Sequence, residues 1–236
     1  MVRTQTVYQL TFFPRLFPVN CYLIEEEDSL TLIDAALPDS AKAILRTMRN
    51  IGKPITRIVL THAHSDHVGA LDALKQALPD AKVHISRRDA RFLDGDFSLD
   101  ADEPDTPVRG SFPKALKTRA DILLDDGDRI GSLLAIASPG HTPGLMAFLD
   151  TRNGSLIAGD AFQTRGGIAV AEQMRPWFPF PAMATWNKEK ALESARRLRA
   201  CLPTLLAVGH GEMLQQPCAA MDRAIAEAER RLTRKP

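Results

Sequence analysis

The stretch THAHSDH at residues 61–67, directly behind the apolar run RIVL, constrains this chain more than any other feature. Three of the chain's six histidines and an aspartate fall within it. Composition alone would produce the pattern HxHxDH with odds on the order of one in several thousand. RIVLTH reads as a buried strand. Behind it Val68, Leu71, Leu74 and Leu78 recur at three- and four-residue steps, which predicts a helix that begins inside the cluster and stops at Pro79. Four polar side chains are thus gathered where a strand turns into a helix.

The rest of the chain repeats this arrangement. VYQLTFF, NCYLIEE and SLTLIDAAL read as strands, and residues 38–50 as a helix begun by Pro38 and ended before Gly52. KVHISR is a strand with a short helix behind it. RIGSLLAIAS, LMAFLD and SLIAGDAF are strands, the last two joined by an Asn153-Gly154 turn. Residues 187–201 read as an amphipathic helix, LLAVGH as a last strand and 218–233 as a closing helix. Residues 94–113 are acidic and proline-bearing, a surface loop. His62, His141, Asp160 and His210 each stand at or just after the C-terminal end of an apolar strand. With 236 residues, 44% hydrophobic and 25% charged, the chain is expected to form one α/β domain over 1–236, its sheets covered by helices and its chemistry on strand-end loops.

A formal charge of +1 supplies no field for a nucleic acid or an anionic membrane, so the expected partner is a small molecule. Cys21, Cys201 and Cys218 are odd in number and far apart, which predicts reduced thiols rather than a disulfide framework. The N-terminal residues lack a secretion-signal pattern and no run reaches eighteen apolar residues, so a cytoplasmic protein is expected.

Imidazole and carboxylate suit zinc, manganese, iron or cobalt, and no cysteine lies near the cluster to favour a thiolate site. Seven candidate ligands, His62, His64, Asp66, His67, His141, Asp160 and His210, are too many for one tetrahedral ion. They suit two ions with one carboxylate bridging. His84 has no such company and reads as an ordinary strand-end histidine.

In their order, THAHSDH, SPGHTPG, IAGDAF and VGHGE resemble the metallo-beta-lactamase superfamily over nearly the whole chain. The resemblance implies a four-layer αβ/βα sandwich with the metals at one edge between two sheets. It implies His62, His64 and His141 as ligands of a first divalent ion, Asp66, His67 and His210 of a second, and Asp160 as the bridge. The ions are expected to be zinc, with manganese, iron or cobalt as the other choices. Asp34 in LIDAAL matches an aspartate that orients a ligand imidazole. The implied activity is a dinuclear metal-dependent hydrolase, in which a metal-bridging hydroxide attacks an ester, lactone or thioester carbonyl and Asp66 also moves a proton to the leaving group.

Departures narrow the choice. Asp160, rather than cysteine or serine, points away from the zinc beta-lactamases proper. Tyr8 and Tyr22 are the only tyrosines, so the tyrosine that many quorum-signal lactonases carry beyond the bridging aspartate has no counterpart. Nor does the basic C-terminal extension of hydroxyacylglutathione hydrolases, and Leu145 stands where PGHTPGH carries its second histidine. The alternatives are a mononuclear iron persulfide dioxygenase of the same fold and a non-catalytic metal-binding module. Residues 165–186 read either as an apolar wall over the substrate, with Trp177 and Phe180 as contacts, or as a loop packed on the core. Arg165 and Arg175 either orient a substrate carboxylate or face water.

Overall fold

The computed structural model describes residues 1–233. A seven-stranded sheet runs in chain order through β1 (Val2–Thr4), β2 (Val7–Phe12), β3 (Val19–Glu25), β4 (Leu30–Ile33), β5 (Ile55–Val59), β6 (Lys82–Ser86) and β7 (Ile122–Leu124). Its first four strands pair antiparallel, and β4 to β7 pair parallel. The parallel half carries the helices α1 (Ala41–Ile51), α2 (Ser65–Val68), α3 (Leu71–Ala77) and α4 (Arg87–Leu93). The second sheet contains β8 (Arg129–Ile130), β9 (Leu133–Ala137), β10 (Met146–Asp150) and β11 (Ser155–Ile157). A small hairpin, β12 (Phe162–Gln163) with β13 (Ala169–Val170), follows, then the helices α5 (Phe180–Ala184) and α6 (Lys188–Ala200). The strands β14 (Leu205–Ala207) and β15 (Leu214–Gln215) complete the second sheet, with β14 parallel to β11, and α7 (Cys218–Thr233) closes the described chain.

Two-residue alternation explains why the central strands are apolar throughout. Leu23, Leu32 and Ile58 face outward onto Ile44, Leu71, Leu74 and Phe92 of the helices. Tyr22, Ile24, Ile33 and Val59 face inward onto Leu133, Met146, Phe148 and Ile157 of the other sheet. The second sheet sends Ala147, Leu156 and Leu206 the other way, onto Leu192, Leu198, Met221 and Ile225 of α6 and α7. Three apolar layers therefore lie between four layers of secondary structure, the αβ/βα sandwich expected from the sequence.

Local departures have local causes. The helix expected through the cluster is two helices, because Gly69 donates to the Ala36 carbonyl and a Cβ there would meet Ala36 O and Pro38 at 2.7 Å. The helix expected at 38–50 is a 3-10 turn, Pro38–Ser40, followed by α1, whose end is capped by Gly52 at φ 81°. SLIAGDAF is a strand only to Ile157; Gly159–Ala161 form a 3-10 turn that swings Asp160 off the sheet. The acidic run at 94–113 has no helix or strand. Several of its carboxylates are nevertheless paired, Glu103 with Arg88 at 2.7 Å and Asp96 and Asp100 with Arg91 at 2.8 and 2.6 Å.

Candidate metal centre

Both sheets deliver their polar residues to one edge. Asp34 follows β4, His62 to His67 follow β5, His141 follows β9, Asp160 follows β11 and His210 follows β14. The carboxyl ends of parallel strands leave room there, because the chain must turn away to cross over. Buried polar groups hold the two edges together. Tyr22 Oη donates to Val208 O at 2.6 Å, Asn20 Nδ2 donates to Val208 O and Gly211 O, and Gly209 N donates to Gly159 O at 3.0 Å. Gly209 cannot carry a side chain, since its Cβ would collide with Asp160 Oδ1.

Every imidazole in the cluster is oriented by its outer nitrogen. His64 Nε2 meets Arg109 O at 2.9 Å and His210 Nδ1 meets Pro18 O at 2.7 Å; both partners only accept, so these nitrogens carry the protons. His67 Nδ1 donates to Asp34 Oδ2 at 2.8 Å. Thr61 Oγ1 donates to Asp34 and so accepts from His62 Nδ1 at 3.0 Å. Thr185 Oγ1 donates to Pro181 O or Ala171 O and accepts from His141 Nδ1 at 3.1 Å. The inner nitrogens of His62, His64 and His141 are left as bare lone pairs.

These lone pairs converge. His64 Nδ1 lies 3.1 Å from His62 Nε2 and 3.0 Å from His141 Nε2, an arrangement in which no proton is available and only a cation relieves the repulsion. On the other side His210 Nε2 and His67 Nε2 lie 3.5 and 3.9 Å from Asp66 Oδ2. Asp160 stands between the sets, with Oδ2 3.4 Å from His141 and 3.1 Å from His210, and Oδ1 3.5 Å from His67. Asp160 Oδ1 and His67 Nε2 are buried without a hydrogen-bond partner among the described residues. Three groups of potential ligands result: His62, His64 and His141; His62, His67 and Asp160; and Asp66, His67 and His210. The donor set fits two divalent cations.

Electrostatics agree with neutral imidazoles on one side and a charged carboxylate in the middle. Burial holds His62 and His141 well below the ordinary histidine value. Burial opposes the charge on Asp160 too, but His210 and His67 outweigh it and keep that carboxyl well below the usual range. Burial lowers His67, while Asp160, Asp34 and Asp66 outweigh it and raise it well above the ordinary value.

Asp34 takes its position at a conformational cost. Its φ of 62° is left-handed, uncommon for a residue with a side chain, and it turns the carboxylate beneath both Thr61 and His67.

The structure adds three contributors that the sequence left unread. Asp89, fully buried in α4, accepts from Ala63 N at 3.0 Å, Thr142 Oγ1 at 2.8 Å and Gly144 N at 2.8 Å. It thereby ties the His62–His64 loop to the His141 loop. Arg109 orients His64, and Gly110 at φ 101° packs against the same ring; the run expected to be a plain surface loop is part of the centre. Phe17 and Phe178 close on His210, with ring centroids 5.1 and 5.2 Å away.

A cavity of about 480 Å³ opens over the cluster, lined by His64, Asp66, His141, Asp160 and His210 together with Phe17, Leu37, Phe180 and Met183. Phe180 stands at the wall of this cavity. Trp177, expected beside it, is 88% exposed and absent from this lining. Within residues 165–186, Phe178 and Trp186 belong to the core, so the segment is partly wall and partly packing. Arg175 is paired with Glu227 at 3.0 Å and Arg165 donates to Arg15 O, so neither arginine faces the cavity.

The sequence profile described as metallo-beta-lactamase superfamily matches residues 14–210. Among relatives, YobT of Bacillus subtilis (strain 168) is 61% identical over 226 residues, covering 96% of this chain and 97% of its own. The probable metallo-hydrolase YflN of the same organism is 30% identical over 212 residues, covering 81% and 80%. The human mitochondrial persulfide dioxygenase ETHE1 is 30% identical over 158 residues, 63% of this chain and 51% of its own length. The crystal structure of TTHA1623 in a di-iron-bound form superposes with a TM-score of 0.66 at 28% identity, covering 90% of this chain and 96% of that one.

Proposed function

Because the chain belongs to the metallo-beta-lactamase superfamily, we propose that it is a dinuclear metal-dependent hydrolase of an ester, lactone or thioester bond. The observation that carries this reading is the completeness of both donor sets around the unpartnered Asp160 oxygen. His62, His64 and His141 would hold one ion, Asp66, His67 and His210 the other, and Asp160 would join them. Two such ions supply a hydroxide nucleophile at neutral pH and polarise the scissile carbonyl.

The chain's own residues set up that chemistry. Asp34 and Thr61 hold the outer nitrogens of His67 and His62, which turns their inner nitrogens toward the cluster. Asp66 is the candidate ligand carboxylate with about a quarter of its side chain open, at 23%, and it lines the cavity, which supports a role in handing a proton to the leaving group. Phe17 and Phe178 exclude water from the His210 side.

Metal content of protein purified without added metal, beside a screen of esters, thioesters and lactones, tests the reading. Close to two zinc, manganese, cobalt or iron equivalents with turnover is the expected result. One iron, no hydrolysis, and oxygen consumption with a persulfide would replace it with the dioxygenase chemistry named for ETHE1.

A further inference from the structure

The cavity over the metal ligands is apolar where it is not metal-binding. Phe17, Leu37, Pro38, Phe180, Pro181 and Met183 form its walls, and among the described residues no lysine or arginine lines it. The cations that the neighbouring segments carry are directed away from it or paired. Arg109 gives its carbonyl to His64 while its side chain lines a separate cavity beside Glu172, Lys188 and Arg231. Arg165 donates to Arg15 O, and Arg175 pairs with Glu227. The hydroxyl of Ser65 is occupied by Ser111 O. A carboxylate remote from the reacting carbonyl would lose its water and find no partner. An alkyl chain would instead meet the aromatic ledge of Phe17 and Phe180, whose ring centroids lie 5.1 Å apart. At about 480 Å³ the cavity falls in the size range of small-molecule sites, roughly 300–1,000 Å³, with space for a substrate well beyond an acetyl group.

From this we infer that the substrate is an uncharged ester or lactone with an apolar chain of medium length, and that the site discriminates against acyl groups ending in a carboxylate. The inference rests on the hydrolase reading for its reaction, but not for its binding preference.

The experiment uses the full, metal-loaded chain. Rates are measured on 4-nitrophenyl acetate, butyrate, hexanoate and octanoate, and on the mono-4-nitrophenyl ester of suberic acid, which matches octanoate in length but ends in a carboxylate. At about twofold per half-buried methylene, kcat/KM is expected to rise roughly fiftyfold from acetate to octanoate. The suberate ester should fall at least about tenfold below octanoate. Phe180→Arg should shrink the ratio of octanoate to suberate. A flat chain-length series, or a suberate ester as good as octanoate, overturns the inference.

Calorimetric binding of octanohydroxamic acid and of suberic monohydroxamic acid separates the two claims. If no ester turns over but the octanoyl compound binds at least about tenfold tighter, the hydrolase reading fails and the apolar preference stands. Equal or tighter binding of the carboxylate compound removes the preference whatever the rates show.

Discussion

Single side chains in this protein act through the groups they leave satisfied or bare. Asp160 is the clearest case, since among the described residues one of its buried oxygens has no hydrogen-bond partner. Asp160→Ala is expected to lower metal occupancy below two and to slow ester hydrolysis at least about a hundredfold, read by emission spectroscopy and initial rates. Asp89 acts at one remove. Asp89→Ala would strand the Ala63 and Gly144 amides and the Thr142 hydroxyl in the core, at a cost of roughly 3 kcal/mol in urea unfolding of the metal-free chain. Asp89→Asn should recover part of that cost. Glu172 carries no hydrogen bond to either side-chain oxygen among the described residues, and burial pushes its carboxyl up to about 7. A raised carboxyl means that the folded state binds the proton more tightly, so stability falls as pH rises from about 4.5 through about 7. Glu172→Gln should therefore raise Tm at pH 8 and leave it unchanged near pH 4.5. The clustering of the candidate histidines and aspartates was legible in the sequence because they stand at the ends of apolar strands. Asp89 was not, since its amide caps locally on Ser86 and the residue looks like an ordinary helix start.

Elements are positioned by their ends rather than by their middles. The strands were legible as apolar runs because both faces of each sheet are covered, and the helices at 187–201 and 218–233 because each buries one face. Irregular connections were harder to read, since their contacts are long-range. The run through residues 94–113 looks solvated by composition, yet its far end supports His64 from 45 residues away. Gly110 makes that approach feasible: at φ 101° it bears a backbone that side chains rarely adopt, and a Cβ would strike the His64 ring. Gly110→Ala is expected to leave far-UV circular dichroism unchanged while weakening metal binding at least about tenfold, measured by chelator competition. Unchanged affinity would show that the loop merely borders the site.

The whole molecule is two sheets meeting along a shared apolar layer, with the candidate ligands divided between them. His62, His64, Asp66 and His67 follow the first sheet, while His141, Asp160 and His210 follow the second. Each proposed ion would draw from both. Removal of metal with a chelator should therefore lower Tm in proportion to the logarithm of free metal, as for any ligand bound only by the folded state. Scanning calorimetry across a series of buffered zinc concentrations reads that slope directly. No described helix is long and apolar enough to cross a membrane. Because each group of candidate ligands draws on both sheets, bound ions would tie the two halves together across the seam. They would serve as rivets, so metal-loaded protein should outlast chelator-treated protein against a protease.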